Sequence, residues 1–250
     1  MLRHRGHRRT YPHNLRLAAM LCSTAGFVNG AGFLAFAVLT TNVTGHVALF
    51  AENISQGDFR SARIVGLWML LFLLGAFMCS LLVGKVGRNQ RYAYVIPILV
   101  EITILVFIAV YGYRFTKTLI QTEVFAGSLL FAMGLQNAMV TMISGAIVRT
   151  THLTGMFTDL GIELSALLYS KTIDNTGLRQ KIVLRTVIIF FFIAGGILGA
   201  YLFSRISYNS FYIPAGILAV TMFYDIFRVH AVKAVRRFKR NMLEGSPGAA

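Results

Sequence analysis

Residues 17–39 read LAAMLCSTAGFVNGAGFLAFAVL, a stretch without a single Asp, Glu, Lys or Arg. A helix needs about 20 apolar residues to cross the hydrocarbon core of a bilayer, and this stretch has that length. Working outward, Ile64–Val83, Val124–Val148 and Thr186–Ser204 are equally free of charge. Tyr94–Val110 is broken only by Glu101, and Ile206–Tyr224 carries no charge. The expected fold is therefore all-α, a polytopic transmembrane helical bundle with six strong spans. A secretory signal is the competing reading of the first stretch, because a basic start precedes it and Ala35-Phe36-Ala37 resembles a cleavage site. The apolar run is too long for a signal peptide, and Asn29 within it belongs to a repeat, so it reads as a retained span.

Composition agrees. The chain is 56% hydrophobic and 13% charged, with a mean hydropathy of +0.66, whereas a soluble domain carries roughly 25% charged residues. The formal net charge is +15, but its placement argues against nucleic acid. Arg3, Arg5, Arg8, Arg9 and Arg16 precede the first span, and Arg228, Lys233, Arg236, Arg237, Lys239 and Arg240 follow the last. Basic residues flanking spans set orientation in the membrane, and no nucleic-acid reader motif accompanies them. Both termini are expected on the cytoplasmic side. Cys22 and Cys79 fall inside apolar spans, where cysteine acts as a small hydrophobe.

The chain is written twice. Thr40-Thr41-Asn42-Val43-Thr44-Gly45 recurs as Thr150-Thr151-His152-Leu153-Thr154-Gly155. Upstream, Gly26-Phe27-Val28-Asn29-Gly30 parallels Gly134-Leu135-Gln136-Asn137-Ala138; downstream, Gly75-Ala76 parallels Gly195-Gly196. Val95-Ile96-Pro97 parallels Tyr212-Ile213-Pro214. Four landmarks in one order define two three-span repeats, 17–112 and 122–227, between a basic tail at 1–16 and another at 228–250. Each repeat has an additional broken or amphipathic TTxxTG helix. Gly195 with Gly199, and more weakly Ala76 with Ser80, form small-xxx-small steps that let helices approach in lipid.

The polar segments Thr41–Gly57 and Thr151–Ser170 leave the span count open. Neither would insert alone, because a central Asp costs about 3 kcal/mol, yet each is nearly long enough to span if sheltered. Six spans put Lys85, Arg88, Arg91 and Arg149 inside and Arg60, Arg63, Arg114 and Lys117 outside; eight spans exchange the two sets. The basic surplus inside is the same in both cases. Six spans make the repeats inverted, as in many transporters, and eight make them parallel.

The candidate chemistry gathers at the breaks. Thr44 and Thr154 are placed to cap the helices that follow, since a hydroxyl can take an unpaired N–H at a helix start. Gly45 and Gly155 belong to the same Thr/Gly-rich breaks. An N-terminus held inside a bundle presents N–H groups and partial positive charge to an anion or carbonyl. Interrupted helices near the midplane are a recurring way to build a substrate site; a capped helix at the membrane surface is the plain alternative. His152, Asp159 and Glu163 share one helical face, matched in the first half by Asn42, Leu49 and Asn53 with His46 and Glu52 nearby. Such a polar stripe either relays protons or cations or faces water on an interfacial helix. Asn29, Asn137 and Gln136 are amides inside uncharged spans, serving as interhelical glue or as substrate contacts. Glu101 is either a proton or coupling-ion site or a carboxylate with a local partner. Arg149, just before the second TTxxTG, aims at an anion or anchors at headgroups. Thr41 and Thr151 complete the candidate set.

No metal-ligand spacing recurs around His46 and His152. There is no GxSxG elbow, HExxH or Walker A loop, so neither a catalytic site, a metal nor a cofactor is expected. The GFVNG…TTNVTGH and GLQNA…RTTHLTGMFTDLG segments resemble the YoaK-like family of bacterial membrane proteins, a family without an assigned function. The family commonly carries Asp where Asn29 stands and Asn where His46 stands. The resemblance covers nearly the whole chain and implies a bacterial inner-membrane protein of duplicated architecture. The expected protein is secondary-transporter-like or channel-like, taking a small polar or anionic solute, with proton coupling as an option. A non-transporting membrane scaffold is the rival. Nothing in the chain specifies an oligomeric state.

Overall fold

A computed structural model describes residues 11–87, 93–114, 118–169 and 175–223. Arg3, Arg5, Arg8, Arg9, Arg88, Arg91, Lys117, Lys171 and the C-terminal basic cluster lie outside the described residues. Within them every regular element is a helix: α1 (Tyr11–Phe36), α2 (Val43–Ser55), α3 (Phe59–Val86), α4 (Val95–Tyr111), α5 (Leu119–Ser144), α6 (Leu153–Tyr169) and α7 (Thr176–Ile206). A further helix, α8, occupies residues 212–223.

Among the described residues five helical stretches are long and apolar enough to cross a membrane, and the fifth covers Thr176–Phe223. At about 1.5 Å per residue that stretch would measure ~70 Å if straight, more than twice a bilayer core of ~30 Å. It is not straight. A 3-10 turn at Ser207–Phe211 separates α7 from α8, and Ser207 adopts a positive φ of 49°. The stops follow local chemistry elsewhere too. Asp58 caps α3 by accepting from the Ser61 N–H at 3.0 Å, and Thr118 begins α5 by accepting from the Gln121 N–H at 3.4 Å. Pro97 is the third residue of α4 and Pro214 the third of α8, where a missing N–H costs nothing.

Helices pair by backbone approach at glycine. On α1, a side chain at Gly26 or Gly30 would strike the carbonyls of Phe192 or Gly196 on α7, and one at Gly195 or Gly199 would strike those of Ser23 or Phe27. The same contact occurs between α3 and α5, where Gly75 meets the carbonyl of Phe131 and Gly134 that of Phe72. Gly75, not the Ala76–Ser80 step, therefore makes the close approach; Ser80 is exposed on the outer surface of the bundle. Residue numbers advance together on α1 and α7, so these helices run parallel. They advance together on α3 and α5 as well, through Gly127 beside Leu71 and Gly75 beside Phe131.

α1 and α5 run in opposite directions. The Gln136 amide donates to the Leu21 carbonyl at 2.7 Å, Gly32 lies beside Leu129, and Phe36 stacks on Phe125 with centroids 5.7 Å apart. At that same end Tyr113, just past α4, donates its hydroxyl to the Ile206 carbonyl at the end of α7 at 3.1 Å. The other end of the bundle is tied by Thr221 on α8, whose hydroxyl lies 3.7 Å from the Met20 sulfur. The ends of α1, α4 and α7 thus share one face with the start of α5.

Candidate functional site

Each TTxxTG segment is a break at which the chain turns back into the bundle. After α1, Ala37 takes a left-handed φ of 56° and the chain turns back along the helix it has just left. The Thr41 N–H and hydroxyl both donate to Asn29 Oδ1, at 3.2 and 3.0 Å. Asn29 stands seven residues before the end of α1, about 10 Å back along the axis, so Thr41 has returned deep into the bundle. After α5, Gly145 and Ala146 take φ values of 65°. Ser144 Oγ accepts from the Val148 N–H at 3.0 Å and donates to the Val148 carbonyl at 3.1 Å, and the chain returns through Thr150, fully buried.

The caps differ from expectation. Thr44 is the second residue of α2 and Thr154 the second of α6, too late to cap. Asn42 caps α2 instead, its Oδ1 accepting from the Gly45 N–H at 2.9 Å, and His152 occupies the matching position before α6. Glycine follows for a packing reason. A Cβ at Gly45 would stand 2.7 Å from the Asn42 amide nitrogen, and one at Gly155 would run into the His152 ring.

The two breaks open into one cavity of about 680 Å³. Most of its walls come as matched pairs: Asn29 with Asn137, Thr41 with Thr151, Asn42 with His152, Thr44 with Thr154. Val43 pairs with Leu153 and Phe72 with Phe192, and Arg149 stands where the first half has Leu39. Thr141 is the remaining lining residue. Among the described residues no Asp or Glu lines the cavity, and Arg149 is its one charged side chain. Among the described residues Arg149 has no ion-pair partner.

The other sequence candidates lie elsewhere. Gly45 and Gly155 shape the breaks without lining the cavity. His46 is 2% exposed and sets its ring edge-on to Trp68 at 5.6 Å, which docks α2 on α3. Glu101 is fully buried on α4, and neither carboxylate oxygen finds a hydrogen-bond donor. Asp159 and Glu163 turn to α7, where Arg185 meets them at 3.1 and 3.8 Å. His152 precedes α6 and faces the cavity, so the expected continuous stripe divides: one member at the site, two in an ion-pair cluster. Among the described residues no three His, Cys, Asp or Glu side chains gather to hold a metal.

Phe72, Phe192 and Leu39 were not singled out from the sequence, although a signal existed. Phe72 and Phe192 each stand three residues before the matched small pairs Gly75-Ala76 and Gly195-Gly196. Arg185 was not singled out either, because nothing local ties it to Asp159, far along the chain.

These features define a multi-pass helical membrane protein with two interrupted helices that meet at a shared polar cavity. The family model described as protein of unknown function DUF1275 matches residues 17–224, and the chain belongs to that family. It is similar to the UPF0700 transmembrane protein YoaK of Bacillus subtilis (strain 168), 26% identical over 190 residues, which is 74% of this chain and 81% of that protein. The YoaK-like resemblance read from the two motifs thus holds. No solved structure matches.

Proposed function

We propose that this protein is a small secondary-transporter-like or channel-like protein that takes a small polar or anionic solute at a midplane site between two inverted repeats. In this reading six spans cross the bacterial inner membrane: α1, α3, α4, α5, α7 and α8. α2 and α6 are half-helices entering from opposite faces. The opposed directions of α1 and α5, the first helices of the two repeats, support inverted rather than parallel halves. At 13 residues, α2 reaches only ~20 Å, short of a bilayer core. With α1 leaving the cytoplasm, as the basic clusters at both ends require, α8 returns there.

The observation that carries the functional reading is the common cavity. Two helix N-termini enter it from the two halves, and each contributes N–H groups and partial positive charge. Arg149 adds a guanidinium with no carboxylate among the lining residues to neutralise it. Such a site attracts an anion or the negative end of a dipole. Asp159 and Glu163, ion-paired with Arg185, hold α6 against α7 in this reading rather than meet the solute.

The test is a thermal-shift screen of the purified full-length protein against small anions and uncharged polar solutes. A ligand that binds only the folded form raises Tm, by an amount equivalent to about 2.7 kcal/mol at 100 times its Kd. The expected result is a saturable shift with an anion that Arg149→Ala removes while leaving the unliganded Tm close to native. No shift with any solute, together with normal behaviour of alanine variants across the cavity, would favour the scaffold.

A further inference from the structure

Asn29 and Asn137 occupy matched positions, each seven residues before the end of its helix, yet their amide oxygens have different fates. Asn29 Oδ1 accepts two hydrogen bonds from Thr41. Asn137 Oδ1 is buried and accepts none. Thr151, the counterpart of Thr41, lines the same cavity as Asn137 and is half-buried, whereas Thr41 is only 7% exposed. One half has made a bond for which the other half holds the same acceptor and the same donor residue, unjoined. A buried carbonyl left without a donor is a costly state, kept where it has a use.

The packing says what the bond would join. α1 lies along α7, and α6 docks on α7; α5 lies along α3, and α2 docks on α3. The helices thus form two groups, α1–α7–α6 and α5–α3–α2, each drawn from both repeats. Asn29 belongs to the first group and Thr41 leads into α2 of the second. Asn137 belongs to the second group and Thr151 leads into α6 of the first. Both pairs therefore cross the same seam, and their loops enter the cavity from opposite ends of the bundle.

Resting on the transporter-like reading above, we infer that Asn29–Thr41 and Asn137–Thr151 are two latches of one gate, made alternately as the two helix groups rock about the cavity. The structure has the first latch closed and the second open, which in this gate is the state closed toward the face where α1 ends and open toward the face where α1 begins. In the complementary state Thr151 donates to Asn137, and Thr41 leaves Asn29. Bistable packing of this kind turns a small local bond into a change of access, and the solute shifts the balance only as far as it prefers one state.

Sided labelling of the full-length protein in oriented membrane vesicles tests the gate. The reporter is Thr154→Cys, which lines the cavity, probed with a membrane-impermeant maleimide applied from one face and then the other. Cys22 and Cys79 are fully buried and stay silent. The expected ratio favours the cytoplasmic face. Asn29→Ala, which removes an acceptor of two hydrogen bonds, should shift the ratio toward the opposite face by roughly tenfold or more. Asn137→Ala should leave the ratio on the cytoplasmic side. Asn29→Asp, whose carboxylate accepts both Thr41 donors, should restore the native ratio, and Thr41→Val gives a milder version of Asn29→Ala should that variant fold poorly. Shifts in the same direction for Asn29→Ala and Asn137→Ala, or no shift for Asn29→Ala and Thr41→Val, overturn the latch while leaving the site reading intact. Labelling from neither face overturns the accessible site itself.

Discussion

The two short helices that follow the breaks, α2 and α6, are held in place by different physics. α2 is fastened to α3 without a charge pair: His46 edges against Trp68, and Phe50 packs over Gly66. Its N-terminus is closed by Asn42, and the break before it is closed by Asn29. α6 is fastened to α7 through Arg185, which reaches Asp159, Glu163, the Met156 sulfur and the Ile147 carbonyl. Its break carries Arg149 and His152 where the first half has Leu39 and Asn42. The two TTxxTG segments thus share a backbone plan and differ in the side chains that fasten them. The first break is neutral and is tied back to its helix by the Asn29–Thr41 bonds; the second carries the cavity's charge and, among the described residues, leaves Asn137 Oδ1 without a donor.

The shared plan can be broken most severely at the glycine contacts. Gly26→Val and Gly134→Val should each drive a side chain into a facing carbonyl, Phe192 in one case and Phe72 in the other. A backbone group cannot rotate away, so each should cost about 3 kcal/mol, the upper end for overpacking. Thermal unfolding in detergent or loss of a monodisperse peak would register it. The comparison is sharpened by equality. A tolerated substitution at one site and collapse at the other would show that the two helix pairs do not carry the fold alike.

A smaller effect separates the two dockings. Arg185→Met leaves Asp159 and Glu163 without their cation, and removing one member of a partly buried ion-pair cluster should cost about 2 kcal/mol. The loss should be local, seen as faster amide exchange in α6 with α2 unchanged. Raised salt should loosen α6 in the native protein for the same reason, since screening weakens the pair but not the contact of His46 with Trp68. Equal salt sensitivity in both half-helices would erase the distinction.

The membrane class and most helix positions were legible because apolar length is a direct physical requirement of a bilayer. The matched positions that line the cavity were legible because TTxxTG and the residues around it recur in order along the chain. Cap identity was not. TTNVTG offers Thr41, Asn42 and Thr44 as competing side-chain acceptors, and only the path of the returning chain decides that Asn42 meets the Gly45 N–H. The direction of α6 toward Arg185 was also hidden, because helical periodicity puts Asp159 and Glu163 on one face without saying what that face meets. The span count could not be read from charge, since both arrangements balance equally. The antiparallel contact of α1 with α5, which bears on it, is made between residues more than a hundred positions apart.

The smallest expected effect concerns the turns that close each half-helix onto its partner. Asp58 joins α2 to α3 and caps α3. Hydrogen bonds from Ser61, the hydroxyl first and the backbone N–H second, hold its carboxyl below the usual aspartate range, with Arg60 adding a smaller pull. The folded state therefore binds this proton less readily than the unfolded chain. The stabilisation is fully present above the unfolded value of about 4 and is lost as pH falls through the lower folded value. Acid should fray the first turn of α3, seen as faster exchange of the Ser61 amide below about pH 4 after correction for the intrinsic rate. Asp58→Asn keeps an acceptor for the Ser61 N–H and has no carboxylate to titrate, so its α3 start should stay protected across the same range. If the native protein and Asp58→Asn lose protection together in acid, the titrating group lies elsewhere, and the first turn has no pH-sensitive tie of its own.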